Sequence, residues 1–346
     1  MKGLSVLASG LVTAVGFNSA ASLAALRAGV SGIRETHLID EESGDFLLGG
    51  KVDLPHWWEG LDKVVDLAAP AIDECLLAAL PEDAEKIPLL VGVAAPDRPG
   101  RWEGLDTKLL EKIELKLDID HHPDSRIIAK GQTSGIYAMA IAHDILHKRK
   151  AHYCIIAGVD SYLQQETVDV YASQRRIMTE DNSNGFFPGE AGAAVLVTLG
   201  DWNKGPQLHI RGLGFAHEPA PITSEEPFRA EGLTEAVRTA LQDAGLTLED
   251  PAWRLTDITG EHYKFKEASF VAGRLGSGKR EDIFDLWHPI EYLGEIGAAM
   301  VPILLAWGLH AGQKGYAPGA RALCHVGSDG VDRAAWVTEF DAGGRR

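Results

Sequence analysis

Asn184-Gly185-Phe186-Phe187-Pro188-Gly189-Glu190-Ala191-Gly192-Ala193 is a glycine-punctuated loop that carries one acidic residue. It runs without a break into Ala194-Val195-Leu196-Val197-Thr198-Leu199. The stretch 192–199 is apolar but for Thr198 and is expected to form a strand neighbouring that at 207–212. Such a strand needs strand neighbours and a helix layer on each side of its sheet.

Working outward, the neighbours are easy to find. Residues 153–160 (YCIIAGVD) and 88–95 (PLLVGVAA) are two more apolar strands of the same kind. Residues 134–146 predict a helix that is rich in Ala and Ile and apolar nearly all round, hence buried. Residues 62–80 predict an amphipathic helix, because Val64, Leu67, Ala68, Ala71, Ile72 and Leu76 recur at helical spacing and Pro81 closes it. At the start, 4–7 is a short strand, 10–18 a loop, and the helix from Ser19 stops at Gly29. Downstream, 207–212 is a strand and 217–227 a linker rich in Pro, Glu and Ser. A helix at 231–245 follows, then a strand at 255–258 that ends on Thr259-Gly260. Gly294 opens a helix through Leu309, and 323–326 and 334–338 are the closing strands. The alternation of strands and helices in both parts predicts an α/β fold with mostly parallel sheets.

The 346 residues are 45% hydrophobic and 24% charged, a globular composition long enough for two units or for one fold of two similar halves. The formal charge of −17 argues against nucleic acid and against an anionic membrane surface as partners. Two local basic clusters, Lys148-Arg149-Lys150 and Arg175-Arg176, are expected to be solvated loops. The N-terminal apolar stretch is too short for a signal peptide, and no run approaches the roughly 20 apolar residues of a membrane span. Cys75, Cys154 and Cys324 are far apart and odd in number, which predicts neither a disulfide framework nor a metal site. Each is expected to be a small buried hydrophobe in a reducing, cytoplasmic setting. No cofactor is expected.

Six segments, in order, resemble the β-ketoacyl synthase branch of the thiolase superfamily. Residues 9–16 (SGLVTAVG) resemble its first strand and loop, and 24–33 (AALRAGVSGI) its first helix. Residues 155–161 (IIAGVDS) resemble the strand after the nucleophile helix. The loop 184–193 resembles the family's DGFVxGEGAG loop and is the most specific of the six. Gly297-Ala298-Ala299 falls where the family has GHxxGAA, and 326–330 (VGSDG) where it has a glycine-rich loop between its last strands. The resemblance implies a thiolase-like layered αβαβα fold of two pseudo-symmetric halves, at 1–200 and 201–340, with 341–346 as a disordered tail. It also implies a homodimer formed through the first half, and a site between the halves.

A condensing synthase of this family needs a thiolate at a helix start, where the dipole favours negative charge, and two histidines that stabilise the developing oxyanion. Here the stretch that resembles the nucleophile turn is 129–135 (AKGQTSG), which puts Gln132 at the cysteine. An amide cannot form an acyl thioester. Thr133 and Ser134 are expected to cap the helix. The first histidine position falls on Thr259, with His262 taking it if the alignment shifts. The second falls on Glu295, whose carboxylate beside a helix start is also expected to cap. The polar stretch 260–267 reads as a functional turn or, more plainly, as a solvated loop. Glu190 matches a glutamate that is structural in the family. Thr133, Ser134, Glu190, Glu261 and Ser328 are the residues expected to border the ligand groove.

The resemblance therefore implies a synthase-like protein that has lost the condensing Cys-His-His set and acts in binding or assembly, with a protein partner. The pattern D-x-x-G-E-x-Y at 257–263 resembles degenerate relatives encoded beside bacterial type VI secretion genes, which implies an adaptor role. The alternative is a decarboxylase acting on a malonyl acyl carrier protein, or a chain-length-factor-like partner of a true synthase.

Overall fold

A computed structural model describes residues 3–56, 59–200, 205–278, 280 and 284–343. Each apolar run becomes a strand whose alternate side chains enter different cores, as the two-residue period of a strand requires. In chain order the elements are β1 (Leu4–Val12), α1 (Ser19–Ala28), β2 (Ile33–Ile39), β3 (Phe46–Gly50), α2 (Leu61–Ala79), β4 (Leu89–Val93), α3 (Leu109–Leu117), β5 (Arg126–Ala129), α4 (Ser134–His147), β6 (Tyr153–Ser161), α5 (Gln165–Ser173) and β7 (Glu190–Leu199). There follow β8 (Gln207–His217), α6 (Glu231–Ala244), β9 (Trp253–Thr256), α7 (His262–Leu275), β10 (Asp285–Trp287), α8 (Ile290–Leu293), α9 (Met300–Gln313), β11 (Arg321–Gly327) and β12 (Asp332–Asp341).

Ten strands form one sheet in the order β10-β9-β11-β12-β8-β1-β7-β6-β4-β5. The order repeats itself about its middle. β5, β4 and β6 are mutually parallel, β7 and β1 follow antiparallel, and β10, β9, β11, β12 and β8 repeat that pattern. The halves meet through a short antiparallel pairing, Leu4 with Ile210, Ser5 with His209 and Val6 with Leu208.

Helices occupy three layers. On β7, Ala194 and Leu196 join α2 and α3 in one core, while Ala193, Val195 and Val197 join α4 and α9 in another. On β12, Trp336 faces the α4–α9 core and Ala335 and Val337 face α6 and α7. Thus α4 and α9 lie between the two half-sheets, largely buried as their mainly apolar sequences demand, with Asp144 and His147 exposed at the end of α4. The outer contact is tight: a Cβ on Gly192 would lie 1.9 Å from the Leu67 carbonyl oxygen of α2.

The expected strands and helices are present, except that the helix expected to open at Gly294 begins only at Met300, after the single turn 297–299, and there are additions. β1 extends to Val12, into the stretch expected to be loop, and β2, β3, α3, β5, α5 and β10 had no sequence signal strong enough to announce them. Within the stretch 260–267, residues 262–267 form the first part of α7 rather than a turn or solvated loop, and its Lys264 and Glu267 are buried. Arg176 is likewise no solvated loop residue, being 7% exposed. Asp341, expected in the tail, pairs with Gln207 at the end of β12, and residues 344–346 lie outside the described part. The boundary expected at 200/201 touches residues 201–204, also outside it. Among the described residues no helix is long and apolar enough to cross a membrane.

Candidate functional site

Parallel strands of an α/β sheet end together, and the loops beyond their C-terminal ends make a crevice. Here the loops after β4, β5 and β11 and the end of β6 enclose a cavity of about 680 Å³. Gln132 lines it, on the single turn 131–133 that precedes α4. This turn packs against the single turn 297–299 that precedes α9, so the two central helices start side by side.

Gln132 is 5% exposed, and its Nε2 donates to the Tyr162 hydroxyl at 3.2 Å. Beside them Arg98 Nη1 donates to Asp160 Oδ1 and to the Ser161 carbonyl, both at 2.9 Å. The guanidinium carbon lies 4.8 Å from the centre of the Tyr162 ring. Burial raises the Asp160 carboxyl above its ordinary range, against the opposing pull of Arg98 and the backbone N–H groups of Ala298 and Ser161. Gly297 must be glycine: its φ is +50°, and a Cβ there would sit 2.1 Å from Asp160 Oδ2.

The opposite wall is an ion-pair chain. Arg176 Nε and Nη2 meet Glu261 Oε1 and Oε2 at 2.7 and 3.2 Å, and Nη2 also meets Asp329 Oδ1 at 2.8 Å. Tyr171 donates to Asp329 Oδ2 at 2.7 Å. Burial acts to raise the Asp329 carboxyl, but Arg176 and the two hydrogen bonds outweigh it and hold it low. The Thr259 hydroxyl donates to Glu261 Oε2 at 3.0 Å. Behind this chain Lys264 Nζ binds Asp257 Oδ2 at 2.8 Å and the Gly327 carbonyl at 2.6 Å. Arg333 joins Glu267 and the Tyr263 hydroxyl at 2.6 and 2.8 Å. The stretch 257–263 therefore pins the 327–330 loop and Arg176 to the second half-sheet.

Glu295 is buried in the same region and accepts from the Gly297 N–H at 2.9 Å, in the manner of a cap. Burial pushes its carboxyl up to about 8, Lys264 working against that and Asp329 and Asp257 adding to it.

Of the residues named from the sequence, Gln132 and Ser328 line the cavity, and Thr259, Glu261 and Glu295 do not. His262 is exposed at the start of α7, so a shifted alignment does not bring an imidazole to the cavity. Thr133 and Ser134 do not cap α4 as expected. The Thr133 hydroxyl bonds the Lys130 carbonyl at 2.9 Å, and Ser134 Oγ reaches the Ile128 carbonyl at 2.9 Å and receives the Lys130 N–H at 3.1 Å. Glu190 is wholly buried, accepting from the Val52 N–H and the Ser161 hydroxyl and paired with Lys63 at 2.9 Å.

The cavity residues that the sequence reading missed include Arg98, Lys130, Asp160, Tyr162, Tyr171, Arg176, His217, Asp329 and Asp332. One signal was available: residues 94–101 directly follow the buried strand 88–93, where α/β folds place ligands. No cysteine lines the cavity. Cys75, Cys154 and Cys324 are buried in the cores, and burial raises all three thiols, that of Cys154 to about 12. His217, exposed at the mouth, lies 3.1 Å from Asp332. His325 is buried in β11, where burial lowers its imidazole to about 4. Among the described residues there is no cluster able to hold a metal ion.

Two mirror-ordered half-sheets, a central helix pair and a cavity at the strand ends define a mixed α/β fold of the thiolase-like, ketosynthase type. Solved structures share it. A ketosynthase in complex with its chain length factor from Xenorhabdus doucetiae superposes with a TM-score of 0.73 at 13% identity, over 98% of both chains. A β-ketoacyl synthase from Burkholderia phymatum STM815 gives 0.75 at 17%, over 99% of this chain and 100% of that one. A chain of the complex of a type II PKS acyl-carrier protein with its ketosynthase bound to the hexaketide gives 0.75 at 13%, over 98% of this chain and 99% of that one. At these identities the likeness is one of fold. No family model and no curated protein matches the sequence.

Proposed function

We propose that this chain is a ketosynthase-fold protein that binds a ligand beside Gln132 without forming an acyl-enzyme, and acts in binding or assembly rather than condensation. One observation carries this reading. Where α4 begins, the cavity presents an amide, arginines, tyrosines and carboxylates, while every thiol of the chain lies in a core. A thioester needs a thiolate, and burial holds these thiols protonated. The Gln132 amide can hold a carbonyl or a carboxyl by hydrogen bonding but cannot be acylated in its place. The test is intact-mass analysis after incubation with acyl and malonyl thioesters. The expected result is the unmodified mass, and an acyl adduct would end the proposal. An adaptor of the kind encoded beside type VI secretion genes falls within this reading, and co-purification with the product of a neighbouring gene tests it. So does the homodimer, tested by light scattering on the purified chain.

A second reading is favoured by the full-length superposition on ketosynthase–chain-length-factor and ketosynthase–carrier complexes. In it the chain partners a true synthase, or removes carbon dioxide from a malonyl group on a carrier protein, with the Gln132 amide steadying the thioester carbonyl. Acetyl-carrier protein formed from malonyl-carrier protein, and lost in Gln132→Ala, would select it. The formal charge of −17 weighs against an acidic carrier docking anywhere but on a local basic patch.

A further inference from the structure

The hairpin β2–β3 forms a sheet of its own, separate from the ten-stranded one. Its inner face is covered within the protein. Thr36, Leu38 and Leu47 are buried, and Leu38 and Leu47 share a small core with Tyr162, Tyr171 and Phe186. A hairpin held in this way by one face is expected to show water a polar one. This hairpin does not. Ile39 and Phe46 are partners across the two strands, and Leu48 stands two residues from Phe46 on the same side. The three are 42%, 55% and 44% exposed, and none of them joins a core. Glu35, opposite Leu48, is a polar member of the same face.

The turn between the two strands forms one wall of a cleft of about 480 Å³. Asp40, Glu41, Glu42, Asp169 and Asp181 line it, with Arg175 as the one basic residue. None of these five carboxylates has an ion-pair partner among the described residues. The cleft and the apolar face are contiguous. Asp40 follows Ile39, and the Gln165 side chain bonds the Ile39 N–H at 3.1 Å and carbonyl at 2.7 Å while donating to Asp169 Oδ1 at 2.6 Å. A concave site lined by one sign of charge concentrates the opposite sign. An apolar patch with a charged flank is the anatomy of a protein interface. A second copy of this chain is a poor occupant of this face, since it carries −17 charges to carboxylates. Nucleic acid and an anionic membrane are opposed in the same way.

We propose that the outer face of β2–β3 and the cleft beside it dock a basic amphipathic segment of a protein partner. Its apolar side chains cover Ile39, Phe46 and Leu48, and its Lys or Arg side chains enter the cleft. The proposal does not depend on what the cavity beside Gln132 binds, although the hairpin shares a core with Tyr162 and Tyr171 of the cavity wall.

The test is fluorescence anisotropy of the intact protein with a labelled helical peptide of Leu and Lys in amphipathic order. Its Leu/Glu counterpart and oligolysine of equal charge are the controls. The Leu/Lys peptide is expected to bind roughly tenfold or more tightly than oligolysine, and the Leu/Glu peptide not to bind. Phe46→Ser/Leu48→Ser should remove that advantage and leave oligolysine unaffected. Glu41→Gln/Glu42→Gln/Asp181→Asn should weaken the Leu/Lys peptide roughly tenfold and flatten its salt dependence. Glu111→Gln/Glu225→Gln/Glu226→Gln removes the same charge from exposed positions outside the cleft and should leave affinity within about threefold. Every substituted side chain is exposed, and circular dichroism establishes that each variant is folded. The proposal is overturned if the Leu/Lys peptide does not bind at millimolar concentration or binds no better than oligolysine. It is equally overturned if the Glu111 triple weakens binding as much as the cleft triple, or if the folded Phe46→Ser/Leu48→Ser variant binds unchanged. Self-association of the parent by light scattering that disappears in Phe46→Ser/Leu48→Ser would give the face to a second copy, against the proposal. An acyl adduct by mass would sink the reading of the cavity without touching peptide affinity.

Discussion

Arg176 and Glu261 meet edge to edge, Nε to Oε1 at 2.7 Å and Nη2 to Oε2 at 3.2 Å, and both are nearly buried. The pair joins the strap after α5 to the start of α7, and it makes the cavity wall rigid from the second half-sheet inward. Removing one partner of a buried pair costs far more than the pair is worth, because the other charge stays behind unpaired. Glu261→Ala should therefore destabilise the chain by about 3 kcal/mol, the remaining contact with Asp329 limiting the loss. Glu261→Gln, which keeps an acceptor, should cost less. Urea denaturation measures both, and a loss below about 1 kcal/mol in the alanine variant would contradict the account.

Glu295 makes stability depend on pH. Its folded-state carboxyl is raised to about 8 from an ordinary value of 4.5. The folded chain therefore holds a proton that the unfolded chain has released between those values. Stability from this group is complete below pH 4.5 and is lost as pH rises through about 8. Glu295→Gln keeps the acceptor for the Gly297 N–H and cannot ionise. It should match the parent near pH 4.5 and exceed it at pH 9 by on the order of 4 kcal/mol. Parallel stability curves for the two proteins across this range would refute the assignment.

Cysteine reactivity separates the cavity from the cores. In the native protein the three buried thiols should resist iodoacetamide and become reactive only on unfolding. Gln132→Cys should take up one alkyl group rapidly, since the new thiol lines the cavity at the start of a helix. Condensation should not appear with it, because Thr259 is bonded to Glu261 and Glu295 is buried away from the cavity. Alkylation of the parent protein under native conditions is the outcome that would count against this picture.

Gly297→Ala should be among the costliest small substitutions in the chain. It places a methyl on Asp160 Oδ2 and demands a left-handed backbone from alanine. A loss of about 3 kcal/mol or more is expected from the clash and the strain together. The measurement is the denaturation midpoint, and Gly278→Ala, at a positive φ of 71° with nothing within 4 Å, serves as the strain-only control.

Much of the fold was legible because its decisive segments are periodic and apolar. Residues 88–95 and 153–160 are almost wholly apolar, so they are expected to be buried strands, and 192–199 reads as a strand beside them. The helix expected at 134–146 is apolar nearly all round for the same reason. The segment 262–275 was not legible. Its Lys264 and Glu267 look like a solvated face, yet they are buried against Asp257 and Arg333. Local pattern cannot reveal charges whose partners are remote in sequence. Arg98 was missed on the same ground, since its partner is Asp160. Thr133 and Ser134 were recognised as polar groups at a helix start, but their hydroxyls turn to the carbonyls of β5 and the turn after it instead of to the helix.

The order of apolar runs alone determined that this is a layered α/β protein, and the identity of residue 132 alone determined that no thiol precedes α4. Both follow from local chemistry, burial in one case and the side chain itself in the other. The folded chain decided which polar groups share the cavity and which carboxylates share a cleft. Charge compensation acts through space over a few ångströms, between residues that the fold, and not the order of the chain, brings together.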